Sequence, residues 1–157
     1  MSLCYKISPE LNMIMYVGQG SSTPSDFFAL ENNAFLKHPR PRGMITLVDA
    51  LELATAFDLK DIHRFIDNIN QLTKKGMEPG PYIMLTRDQG LHLLADAAQL
   101  LAGKLDLKAR MCHTLEEAIL ALGLSDHQQE ITQLWHECKS ESKELQRAAH
   151  AQHAVTA

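Results

Sequence analysis

Along the first fifty residues the apolar positions come in short runs before they take on helical spacing. Residues 3–7 (Leu3, Cys4, Tyr5, Lys6, Ile7) and 11–17 (Leu11, Asn12, Met13, Ile14, Met15, Tyr16, Val17) read as two strands, with Ser8-Pro9-Glu10 as the turn between them. A connection this short makes the pair an antiparallel hairpin. Gly18 to Ser22, in the order Gly-Gln-Gly-Ser-Ser, then breaks the strand. Thr23-Pro24-Ser25-Asp26 opens a helix, with Thr as N-cap, Pro at the first helical position and an acid in the first turn. Phe27, Leu30 and Ala34 share one face of it, flanked by Phe28 and Phe35. The prolines at 39 and 41 stop that helix in a loop.

The same alternation continues. Residues 44–48 are almost wholly apolar, as a central buried strand requires. Asp58 opens a helix whose Ile62, Phe65, Ile66, Ile69 and Leu72 follow the i, i+3, i+4, i+7 rule, and Gly76 with Pro79-Gly80-Pro81 ends the unit. Residues 82–85 predict a further strand, 91–102 a well-buried helix and 107–112 a weaker strand. Thr114 and Glu117 form a capping-box pattern ahead of Ala118, Ile119 and Leu122, with Gly123 closing that helix. The order β-β-α-β-α-β-α-β-α predicts an α/β fold: a mixed, mostly parallel sheet of about five strands opened by an antiparallel hairpin, with helices packed on it.

Residues 1–124 therefore read as one α/β domain, 125–149 as an extra C-terminal helix and 150–157 as a disordered tail. In the extra helix Ile131, Cys138 and Leu145 are seven apart, with Leu134 and Trp135 beside them. Glu141 in the seam makes a poor coiled coil, so this stripe is a candidate interface with the protein's own domain or with a second subunit.

Composition narrows the partners. A chain of 157 residues with 45% hydrophobic and 22% charged positions is an ordinary globular protein that needs no metal or disulfide staple. A net charge of −4 argues against nucleic acid, which rewards clustered Lys and Arg. Cys4, Cys112 and Cys138 are odd in number and far apart, which suits reduced thiols in a cytoplasm. No apolar run approaches the ~20 residues of a membrane-spanning helix.

The hairpin, the strand-break-helix from Gly20 to Phe28, the buried Ile45-Thr46-Leu47-Val48-Asp49 strand, the helix holding Ile62 to Leu72 and the closing Thr114-Leu115-Glu116-Glu117-Ala118-Ile119 together resemble the bacterial STAS-like domains, the fold of anti-sigma-factor antagonists. The nearest likeness is to the small stand-alone bacterial members. The resemblance implies a right-handed β/α superhelix and regulation through protein contacts. In the antagonists a phosphorylated serine follows the strand-terminal Asp, whereas here Ala50 and Leu51 follow Asp49, and the nearest hydroxyl is on Thr55. The phosphoswitch is therefore not carried over.

Ligands of open α/β sheets gather at the carboxyl ends of strands, so Asp49, Thr86, Arg87 and Asp88, with Ser21 and Ser22 nearby, form the candidate ligand or partner cleft. Capping and turn formation are the commoner uses of Asp at such places. The loop at 18–23 has neither the third glycine of a dinucleotide fingerprint nor the Lys of a P-loop, and Asp26 already answers the helix dipole. His38, Arg40 and Arg42 read as a solvated basic loop.

No pair among the eight histidines has i, i+4 spacing, and no metal or cofactor is expected. Cys112 and His113 are adjacent on a strand and so point to opposite faces. No complete catalytic set emerges. The expectation is a non-catalytic module binding a protein partner or its own copy. The alternative is a carrier of a small apolar ligand, on the likeness of the fold to CRAL-TRIO lipid-transfer cores, with Phe27, Phe28 and Phe35 lining the pocket. An enzyme built on Asp49, Arg87 and Asp88 would require those side chains to meet.

Overall fold

The opening hairpin pairs as the alternation requires: β1 (Leu3–Ser8) runs antiparallel to β2 (Met13–Gly20), with Tyr5 opposite Tyr16 and Ile7 opposite Ile14. The computed structural model of the chain describes residues 2–54, 58–87 and 109–155, apart from the side chains of 59, 62 and 153–155. Gly18, Gln19 and Gly20, expected to break β2, extend it instead, and Gly20 turns the chain out of the strand with a φ of 62°. The following helix, α1 (Pro24–Lys37), starts on the expected capping residue: the Thr23 side chain accepts from the Asp26 N–H and the Asp26 carboxylate accepts from the Thr23 N–H.

β3 (Met44–Leu53) lies parallel to β2 and is longer than its apolar run, so Asp49 sits within the strand and not at its end. α2 (Leu59–Lys74) follows, with Asp58 and Asp61 forming a second capping box. β4 (Pro79–Leu85) begins at the prolines that were expected to be loop. Gly80 is required there, because a Cβ would overlap the Gly43 carbonyl where the two backbones meet.

β5 (Ala109–Cys112) pairs parallel to β4, and α3 (Leu115–Ala121) follows it, capped by Thr114. A 3-10 turn, Ser125–His127, leads into α4 (Gln128–Val155). α4 continues through His150, where the sequence suggested a frayed end. The helix expected over 91–102 lies outside the described residues, as do Asp88 and Thr55.

The five described strands lie side by side in chain order, β1-β2-β3-β4-β5, antiparallel at the first pair and parallel thereafter. This is the expected α/β architecture. Period-two alternation divides β2 between two cores. Ile14 and Tyr16 join Phe27, Phe28 and Ala34 of α1 and Ile69 and Leu72 of α2. Met13, Met15 and Val17 join Leu115, Ala118 and Ile119 of α3 and Ile131 and Cys138 of α4. A strand buried on both faces needs an unbroken apolar run, which is what residues 13–17 supply.

α4 is therefore a structural layer of the domain. Ile131 and Cys138 are fully buried against the chain's own sheet, Leu134 and Trp135 are half-buried on the same core, and Leu145 stays 41% exposed. Burying a side chain such as Ile131 contributes roughly 1.5–3 kcal/mol. The seven-residue spacing that marked a candidate interface is thus largely used within the chain. No described helix is long and apolar enough to cross a membrane.

Candidate functional site

Of the residues read as a cleft, the structure places Asp49, Thr86, Arg87, Ser21 and Ser22, and Asp88 lies outside the described residues. Asp49 is 2% exposed, and both of its oxygens are engaged. Oδ1 accepts from the Leu51 N–H at 2.9 Å and Oδ2 from the Trp135 indole N–H at 2.7 Å. Burial raises the Asp49 pKa, and these two donors partly oppose the rise. The strand-borne acid and the chain's one tryptophan therefore form a tie between β3 and α4.

Thr86 is buried one residue beyond β4, where its N–H donates to the Cys112 carbonyl at 3.0 Å. Leu85, the last residue of β4, packs in the core shared with α3 and α4. Arg87 is exposed. What does form at this end of the sheet is an ion pair between Lys139 and Glu52 at 2.6 Å, with the Lys139 ammonium 4.6 Å from the Trp135 ring centre. The Lys139 hydrogen bond holds Glu52 below its usual carboxylate range. These contacts fasten α4 over the end of β3.

The loop beyond β2 is occupied in the same way. Ser22 is buried, and its Oγ accepts from the Ser2 N–H at 3.2 Å, whereas Ser21 is exposed. Gln146 of α4 covers Gly20 closely enough that a Cβ there would lie 2.5 Å from its Nε2. With the first turn of α1 capped by Thr23 and Asp26, this segment presents no open cradle for an anion.

Cys112 and His113 diverge, the first buried and the second exposed, and burial raises the Cys112 pKa, which keeps its thiol protonated. Among the described residues no three His, Cys, Asp or Glu side chains come together as metal ligands. Phe27 and Phe28 pack against Tyr16 and Phe65, with ring centres 5.2 Å apart for Tyr16–Phe27 and 6.3 Å apart for Phe28–Phe65. They pack in the core between α1, α2 and the sheet.

A polar cluster that the sequence pattern does not announce lies inside that core. Glu31 of α1 is fully buried, and Arg40, expected to be a solvated loop residue, has a side chain only 4% exposed. Arg40 Nη1 stands 3.6 Å from Glu31 Oε1, too long for a hydrogen bond, and its Nη2 donates to the Tyr16 hydroxyl at 2.5 Å. Asn68 of α2 donates to Glu31 Oε2 at 2.9 Å and accepts from Asn32 at 2.8 Å. Burial raises the Glu31 pKa to about 7 against the opposing pull of Arg40 and Asn68.

Three buried atoms of the cluster, Glu31 Oε1, Arg40 Nε and the Tyr82 hydroxyl, have no hydrogen-bond partner. The crevice beside them, lined by Arg40, Thr46, Ile69, Met77 and Tyr82, has room for about one water molecule. It opens toward the amino ends of β3 and β4, away from the strand ends where ligands of such sheets gather. Position and size make the cluster a clamp joining α1, α2 and the loop before β3. The available signal was Glu31 itself, which stands four residues after Phe27 and three before Ala34, inside the apolar stripe of α1.

No protein-family model, curated protein or solved structure matches the chain.

Proposed function

We propose that the chain is a non-catalytic, STAS-like binding or regulatory module that acts through contacts with a protein partner or a second copy of itself. One observation carries the proposal: Asp49, Ser22 and Thr86, three of the polar residues that the sequence offers for chemistry, are engaged in holding the fold, as is the buried Glu31. Asp49 ties β3 to α4, Ser22 binds the start of the chain, Thr86 is buried at the end of β4, and Glu31 clamps two helices. The strands in chain order behind an antiparallel hairpin support the STAS-like part of the reading. Ala50, buried after Asp49, leaves no hydroxyl for a phosphoswitch at that place, so the proposed regulation is by contact alone.

The contact surface in this proposal is the outer edge of β1. The Gln19 N–H donates to the Ser2 carbonyl, and antiparallel alternation from that bond directs the N–H and C=O groups of Leu3, Tyr5 and Ile7 away from β2. Among the described residues no strand pairs with this edge, and an incoming strand would find its backbone groups ready.

The test is cross-linked affinity capture with the full chain and with Ile7→Pro. Proline there removes an outward N–H and leaves the β1–β2 ladder in place. The expected result is a partner or dimer retained by the parent chain and lost by the folded variant. Equal capture by both overturns the edge assignment. An enzymatic activity that Asp49→Asn abolishes at unchanged stability overturns the non-catalytic reading.

A further inference from the structure

The seam between β1 and α4 brings two buried thiols together. β1 turns Cys4 and Lys6 toward α4, and with Ser2 just before the strand three rungs pair across the seam. Ser142 donates to the Ser2 carbonyl, the Lys6 ammonium lies 2.7 Å from Glu141 Oε2, and between these rungs the sulfurs of Cys4 and Cys138 are 3.0 Å apart. That separation is closer than the ~3.5–4.0 Å of ordinary core packing, and an approach of about 1 Å brings it to bonding distance. The two cysteines lie 134 residues apart in sequence, and each comes from an element held on both sides of the contact. Cys112 sits on β5, at the opposite end of the strand order from β1.

We propose that Cys4 and Cys138 are a redox pair that closes into an intramolecular disulfide, with a small dithio compound of the glutathione-disulfide class as oxidant. Cys4, 5% exposed against 0% for Cys138, is the side through which the exchange enters. Its thiolate attacks one sulfur of the small disulfide, which forms a mixed disulfide and releases one small thiol. The Cys138 sulfur, after losing its proton to solvent, attacks the Cys4 sulfur and expels the second small thiol. The protein gives up two protons and two electrons, and the small disulfide is reduced to two thiols.

Both sulfurs are buried beneath α4, so the exchange proceeds through local opening of the seam, and its rate follows that opening. The neighbouring Cys4 sulfur and burial hold Cys138 protonated well above the usual thiol range, so its attack takes place in the opened seam. Closure joins the first strand to the last helix and makes most of the chain one loop.

The experiment incubates the folded full chain with graded ratios of reduced and oxidised glutathione, quenches with acid, alkylates, and maps the intact mass and the linked peptides. The expected product is lighter by about 2 Da, contains a Cys4–Cys138 peptide and keeps Cys112 as its one alkylatable thiol of three. Its Tm should stand roughly 10 °C above that of the reduced chain and return on adding dithiothreitol. Cys112→Ser should behave like the parent, and Cys4→Ser should lose the shift. Stable glutathione adducts without a link, links that include Cys112, or a Cys4–Cys138 link seen only in urea would each overturn the proposal. Because the peptide map is made on the parent chain, the outcome does not depend on how any variant folds. It is equally independent of the partner proposed for the β1 edge.

Discussion

Replacing Glu31 by glutamine should change how stability depends on pH. The folded-state pKa of Glu31 is about 7, raised from 4.5 by burial. Between those values the native state binds more protons than the unfolded chain, so the Glu31 contribution is fully present below the unfolded pKa and is lost as pH rises through about 7. At 1.36 kcal/mol per unit, the parent should lose roughly 2–3 kcal/mol of stability from this group between pH 5 and pH 8. Asp49, also raised by burial, adds a loss of the same sign, and Glu52, lowered by Lys139, acts in the opposite direction at more acid pH. Both are common to the parent and the variant. Glu31→Gln keeps the size of the side chain and removes its titration, but above pH 7 it also removes the charge facing Arg40, so a change in overall stability accompanies the change in slope. The informative quantity is therefore the difference in slope. Urea unfolding at half-unit steps from pH 5 to 8 should show the variant flatter by about 2–3 kcal/mol across the range. Parallel curves, or a parent that gains stability toward pH 8, would refute the assignment of a buried, high-pKa Glu31.

Two further perturbations address the packing of α4 and β4. Trp135→Phe removes the donor to Asp49 Oδ2 and leaves a buried acceptor unpaired, so urea unfolding should show a loss of about 1–3 kcal/mol, larger at pH 7.5 than at pH 5; unchanged stability would mean the tie carries nothing. Gly80→Ala forces a methyl group against the Gly43 carbonyl and should cost about 1–3 kcal/mol by thermal or urea unfolding, and a neutral result would contradict the close approach of those backbones.

The alternation of strand and helix was legible where the elements carry strong local signals. The apolar runs at 13–17 and 82–85 and the Thr23, Asp58 and Thr114 caps all lie where the sequence placed them. Boundaries were less legible where backbone pairing overrides residue type. Gly18 to Gly20 and Pro79 to Pro81 carry breaker residues yet extend strands, and β3 continues through Leu51 and Leu53 after a buried acid. The site was harder to read. Asp49 stood out as a residue but not as the partner of Trp135, since 86 positions separate them and only the return of α4 joins them. Arg40 looked solvated because it sits among Pro39, Pro41 and Arg42, and nothing local shows that its own side chain turns inward to Glu31. The Cys4–Cys138 contact depends on the same long-range return of α4.

That α4 closes the core of its own domain is tested most directly by light scattering and near-ultraviolet circular dichroism on the full chain and on a chain ending at Leu124. Without α4, the Met13, Met15 and Val17 side of β2 loses the cover of Ile131 and Cys138, and Asp49 loses Trp135. The expected result is that the shortened chain aggregates or loses its tertiary signal while the full chain keeps it. A shortened chain that stays a compact, fully folded monomer would contradict the assignment of α4 to the core and return the stripe of Ile131, Leu134, Trp135 and Cys138 to the search for a partner.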